Sequence, residues 1–143
     1  MAYEYKDVQF DLIVCSPLMR TVQTANIMNT YHNVKKIKDF DLIEIEQGYF
    51  TGKKYSSLTE KEKLIKKSKS KEYGMESNRE VFERTKKFAE NIKRKYPCKN
   101  LLIITHNCNA SCMEDYFEKY DVDFADEKYF KRFKNAEIKQ FDI

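Results

Sequence analysis

Two runs of consecutive apolar residues interrupt a chain that is otherwise charged every few positions: Leu12-Ile13-Val14-Cys15 and Leu101-Leu102-Ile103-Ile104. Short, partly β-branched runs of this kind predict strands covered on both faces of a sheet. The first reads as a strand over 9–15. Ser16 is then a natural N-cap, Pro17 a natural first helical residue, and a helix over 17–31 sets Leu18, Val22, Ala25 and either Ile27 or Met28 on one face. A second strand is predicted over 34–40. Residues 44–52 hold two of the three glycines and read as a structured loop. The lysine-rich stretch 53–75 reads as a lid or insert, with Thr59-Glu60-Lys61-Glu62 opening a short exposed helix through a capping box. Glu76-Ser77 introduces a helix over 78–95 that buries Val81, Phe82, Thr85, Phe88, Ala89 and Ile92, and Tyr96-Pro97 ends it. The run at 101–105 reads as the central strand. A helix over 108–120, a loop, and an alternating strand over 136–143 follow, while residues 1–8 read as a remnant of a helix. Strands alternating with helices define an α/β domain, a three-layer α/β/α sandwich around a mainly parallel sheet, and no internal repeat is present.

The length, 143 residues, suits one domain spanning 1–143 that buries about two thirds of its extended surface. With 41% hydrophobic and 35% charged residues the chain is globular. Its net charge of +4 comes from interleaved lysines and acids; it fits an anionic small-molecule substrate and is too weak to argue for nucleic acid. No apolar run approaches the roughly 20 residues of a membrane-crossing helix, and the first residues lack a secretory core. Cys15, Cys98, Cys108 and Cys112 have no disulfide spacing, so reduced thiols and a cytoplasmic location are expected. His106, Cys108 and Cys112 have no second ligand pair at metal-site spacing, so no metal is expected.

Candidate chemistry sits at the carboxyl ends of the two apolar strands, where an open α/β sheet presents groups to a ligand. Thr105-His106-Asn107 follow one strand. Ser16 follows the other, with Arg20 in the next helix's first turn, where free N–H groups and the dipole favour an anion. Two such ends point to one shared oxyanion site.

Ser16-Pro17-Leu18-Met19-Arg20-Thr21-Val22-Gln23-Thr24-Ala25 resembles the Ser-Pro-Leu-x-Arg signature of the histidine phosphatase superfamily, which has the phosphoglycerate mutase-like fold. Leu42-Ile43-Glu44 with Gly48 and Gly52 is similar to its next segment. Glu76-Ser77 and Arg84 match its Glu-Ser and helix arginine, Leu101–Asn107 its Thr-His-Gly strand, and Asn135-Ala136-Glu137-Ile138 its late strand. The resemblance covers nearly the whole chain in order. It implies Arg20 as a phosphate ligand, His106 as the second histidine of the site, and Glu44 as the general acid for the leaving oxygen. Asn107 replaces the family's glycine and implies a side chain among the substrate contacts.

The family's nucleophilic histidine belongs to an Arg-His-Gly motif on a first strand beside the 101–105 strand, and this sequence begins after it. Its two histidines are His106 and His32, the latter expected to be exposed at a helix end. The resemblance therefore implies a fold truncated at the N-terminus and phosphoryl transfer or phosphomonoester hydrolysis impaired in this chain. The alternative is a non-catalytic phosphate-binding or structural remnant. The 101–105 strand would leave a free edge, encouraging a homodimer, or pair with 136–143. No cofactor, nucleic acid or membrane is implied; the partner is a phosphorylated small molecule or phosphoprotein. Cys15 and Arg20 are separated by one residue too few for a cysteine phosphatase loop, and no glycine lies between them.

Overall fold

The computed structural model describes residues 2–121 and 133–142. Its elements are β1 (Leu12–Cys15), α1 (Met19–His32), β2 (Lys35–Lys38), α2 (Glu60–Ser68), α3 (Asn78–Lys95), β3 (Leu101–Ile104) and α4 (Asn107–Glu118), with short 3-10 turns between them. The strands form one parallel sheet in the order β2-β1-β3. Leu12 and Val14 of β1 face Leu42, Phe88, Ile92 and Met113, beneath α3 and α4. Ile13 and Cys15 face Ala25 and Met28 of α1. Alternation along one fully buried strand thus builds two cores and the three-layer sandwich.

The central strand is β1, where the sequence pattern favours 101–105. The crossover through α1 returns the chain to one flank of β1, and the longer excursion through α3 returns it to the other. Helices cover both faces of β3, yet only Leu102 of its four residues is buried. The outer strand on the opposite side, β2, exposes Lys35, Lys36 and Lys38, charges that discourage pairing with another chain.

The expected strand over 136–143 does not form within the described residues 136–142. Ala136 takes a left-handed φ of 62°, Lys139 reaches Glu114 and Glu118 of α4, and the Phe141 ring lies 5.1 Å from that of Phe117. The alternating pattern therefore serves a segment lying on a helix. Part of the expected loop after α4, residues 122–132, lies outside the described residues.

At the start of α1, Ser16 and Pro17 take different places from those expected. Leu18 is the N-cap, with extended backbone (φ −66°, ψ 142°), and the helix opens at Met19. Ser16 still belongs to the sheet, its N–H donating to the Ile104 carbonyl at 3.0 Å. Met28 is buried and Ile27 exposed, which resolves that choice. Residues 2–5 form a 3-10 turn. The expected capping box forms, Thr59 with Glu62 on α2, which carries no buried residue, and a second one, Ser77 with Glu80, opens α3. The six residues expected to face inward from α3 do so, with Phe82 half-buried.

His32 is half-buried rather than exposed. Its ring stands edge-on to Phe10, with centroids 4.8 Å apart, because α1 ends against the chain entering β1. Among the described residues no helix is long and apolar enough to cross a membrane, and no group of His, Cys, Asp and Glu is arranged to hold a metal ion. Cys108 and Cys112 pack against Val81 of α3 and Ile45, turned away from the sheet.

Candidate oxyanion site at the strand ends

Parallel pairing of β1 with β3 aligns Cys15 with Ile104, so Ser16 and His106 emerge at the same end of the sheet. His106 is the N-cap of α4; its carbonyl accepts the Ala110 N–H at 2.8 Å, and its side chain is left free to turn inward. The imidazole is buried. Its Nδ1 accepts the Arg20 Nε–H at 3.1 Å, and Nη2 of the same guanidinium lies 2.9 Å away. On the other side of the ring, Nε2 lies 2.9 Å from Ser16 Oγ.

A guanidinium can only donate, so Nδ1 carries the lone pair and the ring proton sits on Nε2, directed at Ser16. Burial pushes the His106 pKa down from 6.5 to about 4, and the charges of Arg20 and Arg84 push the same way. The ring is neutral at pH 7. Arg20, in the first turn of α1, is exposed and open to an incoming anion.

A polar frame ties this pair to the neighbouring cleft. Thr105 Oγ1 donates to the Leu42 carbonyl at 2.9 Å, and Asn109 Nδ2 to the Ile43 carbonyl at 2.8 Å. Residues flanking His106 thereby hold the 42–43 backbone. Arg84 of α3 donates to both Glu76 carboxylate oxygens at 2.7 and 3.0 Å, to the Asp41 carbonyl at 2.6 Å and to Asn109 Oδ1 at 3.0 Å. Arg84, Glu44, Glu46, Glu76 and Met75 line a cleft of about 500 Å³, with Phe40 also in its lining.

Of the four residues the sequence singled out, Arg20 and His106 meet. Glu44 lies in the cleft lining; its carboxylate accepts the Ile45 N–H at 3.0 Å and makes no hydrogen bond to Arg20 or His106. Asn107 is turned aside. Its Nδ2 donates to the Phe133 carbonyl at 2.9 Å and its Oδ1 accepts the Phe133 N–H at 3.4 Å, so the amide fastens the later chain to α4.

Two residues of the network, Arg84 and Asn109, were not given a place in the expected site, and Ser16 was placed at a strand end, and as a helix cap, without its contact to His106. Arg84 was matched to the family without being given a place in the site. Asn109, 0% exposed, had no signal beyond a polar residue in an otherwise small-residue helix start.

Fold and site together define a parallel α/β domain that brings a guanidinium and an imidazole, 86 residues apart in sequence, into contact at its strand ends. The sequence profile of the histidine phosphatase superfamily (branch 1) matches residues 1–143, and the chain belongs to that family. It is 28% identical over 119 residues to phosphoserine phosphatase 1 of Hydrogenobacter thermophilus, covering 79% of this chain and 56% of that protein. Among solved structures it is similar to Bacillus stearothermophilus YhfR, with a TM-score of 0.76, 18% identity, and coverage of 87% of this chain and 64% of the other. Phosphoglycerate mutase from Bacillus anthracis gives a TM-score of 0.67 at 19% identity, covering 82% and 63%. The mycobacterial glucosyl-3-phosphoglycerate phosphatase gives 0.71 at 17%, covering 91% and 66%. The fold is thus phosphoglycerate mutase-like. The chain spans 56% of the length of its curated relative and about two thirds of these structures.

Proposed function

We propose that this chain binds the phosphoryl group of a phosphorylated small molecule or phosphoprotein through Arg20 and His106, for phosphomonoester hydrolysis or phosphoryl transfer. The supporting observation is the placement of the Arg20 guanidinium and the His106 imidazole in direct contact at the strand ends, 86 residues apart in sequence. A planar guanidinium holds two phosphoryl oxygens at once, and the imidazole beside it stabilises charge on a third. Glu44, in the adjoining cleft, is the proposed general acid for the leaving oxygen. Asn107, whose amide is engaged by Phe133, is given no substrate contact in this reading. The related phosphoserine and glucosyl-3-phosphoglycerate phosphatases make a phosphorylated metabolite the first substrate class to test. Four free thiols, three of them buried, fit a cytoplasmic setting.

As a 143-residue chain its turnover is weak. A phosphohistidine route needs an imidazole with an unoccupied lone pair, and Nδ1 of His106 faces Arg20 while Nε2 carries the proton. The other histidine, His32, sits at the far end of α1. Phosphate binding without catalysis is the second reading, favoured by that same engagement of both ring nitrogens. The test is hydrolysis of p-nitrophenyl phosphate by the chain and its His106→Ala variant, together with thermal unfolding in inorganic phosphate. Slow turnover lost in His106→Ala supports the enzyme; protection by phosphate without turnover supports the binding domain. Neither turnover nor protection would remove both readings.

A further inference from the structure

We propose that Ser16 is the positioning residue of this site: by accepting the Nε2–H of His106 it turns Nδ1 towards Arg20, so that an oxyanion drawing Arg20 onto itself leaves Nδ1 to take up a proton and become the anion's second donor. The inference rests on the reading of Arg20 and His106 as the phosphoryl-binding pair.

Ser16 is fixed more firmly than a loop serine. It is 0% exposed, its N–H donates to the Ile104 carbonyl at 3.0 Å, and its own carbonyl accepts the Thr21 hydroxyl at 2.8 Å. Its Oγ lies 2.9 Å from His106 Nε2 and also accepts the Leu18 N–H at 3.4 Å. Because Arg20 can only donate to Nδ1, the ring proton lies on Nε2 and Ser16 Oγ accepts it, a contact that keeps the proton there when an anion draws Arg20 away. Arg20 reads the outcome on the opposite side of the ring, with two nitrogens directed at the bare Nδ1.

A doubly charged oxyanion is a far better guanidinium acceptor than a neutral imidazole, so it takes over the Arg20 fork. Nδ1 then faces the anion with a lone pair, two acceptors against one another in a buried place. One proton from solvent resolves the conflict: an Nδ1–H bond forms as a hydronium O–H bond breaks and water leaves, imidazole becomes imidazolium, and Arg20 remains a cation. The charged groups bearing on the ring are Arg20 from α1 and Arg84 from α3, and both oppose that proton until the anion arrives. Ser16, at the end of β1, is neutral. Cys108 on α4 is an un-ionised thiol pushed far upward, chiefly by its hydrogen bond with Cys112 and by burial; Glu44 acts on Cys108.

The experiment is ¹⁵N-resolved NMR of the His106 ring in the 143-residue chain, titrated from pH 4 to 8 with and without sulfate, a dianion that does not itself titrate in this range. The wild type should show the Nε2–H tautomer when free, and saturating sulfate should raise the His106 midpoint by a unit or more. Sulfate affinity should then fall up to tenfold per pH unit between the free and bound midpoints. Ser16→Ala should weaken the Nε2–H preference, then left to Arg20 alone, and flatten that slope, and Ser16→Thr should restore both. Sulfate binding with an unmoved midpoint overturns the proposal, a result that needs only the wild type should Ser16→Ala fail to fold. So does a folded Ser16→Ala that keeps the tautomer and the slope. Absence of any sulfate binding, with the wild-type tautomer intact, would instead overturn the phosphoryl-binding reading of Arg20 and His106, and the proton uptake with it.

Discussion

Arg84 grips Glu76 with two parallel hydrogen bonds of 2.7 and 3.0 Å, and its remaining nitrogen bridges the Asp41 carbonyl and Asn109. One guanidinium thus joins the start of α3, the 41–46 segment and the first turn of α4. Both partners are only about one fifth exposed, so removing one leaves a largely desolvated charge. Arg84→Met should destabilise the domain by about 2–3 kcal/mol in urea unfolding. Adding Glu76→Gln should cost much less than in the wild-type background, because the two form one unit.

The His106 environment sets a pH dependence of stability. Its folded pKa, about 4, lies below the ordinary 6.5, so the unfolded chain binds the proton more readily. Stability is then full above pH 6.5 and lost progressively as pH falls towards 4, by about 3 kcal/mol at most for this one group. Chemical denaturation at pH 7.0, 5.5 and 4.5 should show this loss in the wild type and a shallower one in His106→Gln.

Glycine is required at position 48, where two loops meet. Gly48 has φ +51°, and a Cβ there would sit 2.0 Å from the Tyr73 carbonyl oxygen. This close approach lies beside the Gln47–Met75 bridge that closes the 47–75 segment over its own small core of Phe50, Leu58 and Met75. Gly48→Ala should open the segment to limited proteolysis and cost at least about 2 kcal/mol. Gly52→Ala should cost about 1 kcal/mol, since its φ is +76° but no atom lies within 4 Å of the added carbon.

The two capping boxes should differ in reach. Ser77 caps α3, which carries six buried residues, whereas Thr59 caps α2, which carries none. Ser77→Ala should lower global stability by about 1 kcal/mol. Thr59→Ala should speed amide exchange in residues 60–68 with little change in the unfolding midpoint.

The elements with strong local signals were legible in the sequence. The helical stripe from Val81 to Ile92, the Thr59 capping box and the two apolar strands all formed, because each depends on neighbours a few residues away. Strand order was not legible. Leu12–Cys15 and Leu101–Ile104 are equally apolar, and which of them is central depends on where two long crossovers return. The alternation of Glu137 to Phe141 read as a strand, yet its polar and apolar positions are used by Glu114 and Phe117 on one helix. In the site, Arg20 and His106 could be paired from their places after the strands. The engagement of Asn107 with Phe133 depends on a contact 26 residues away that no pattern announces.

Every ladder of the sheet is parallel, and the β1–β3 ladder joins Leu12 to Leu101. On a ribosome working at roughly 5–20 residues per second, β1 emerges several seconds before its second neighbour exists. During that interval its apolar flank has no native partner, and closing so large a loop makes this pairing a late, slow event in folding. Recovery of native chain after dilution from denaturant should therefore depend steeply on protein concentration, since molecules waiting for β3 compete with one another for the same uncovered strand.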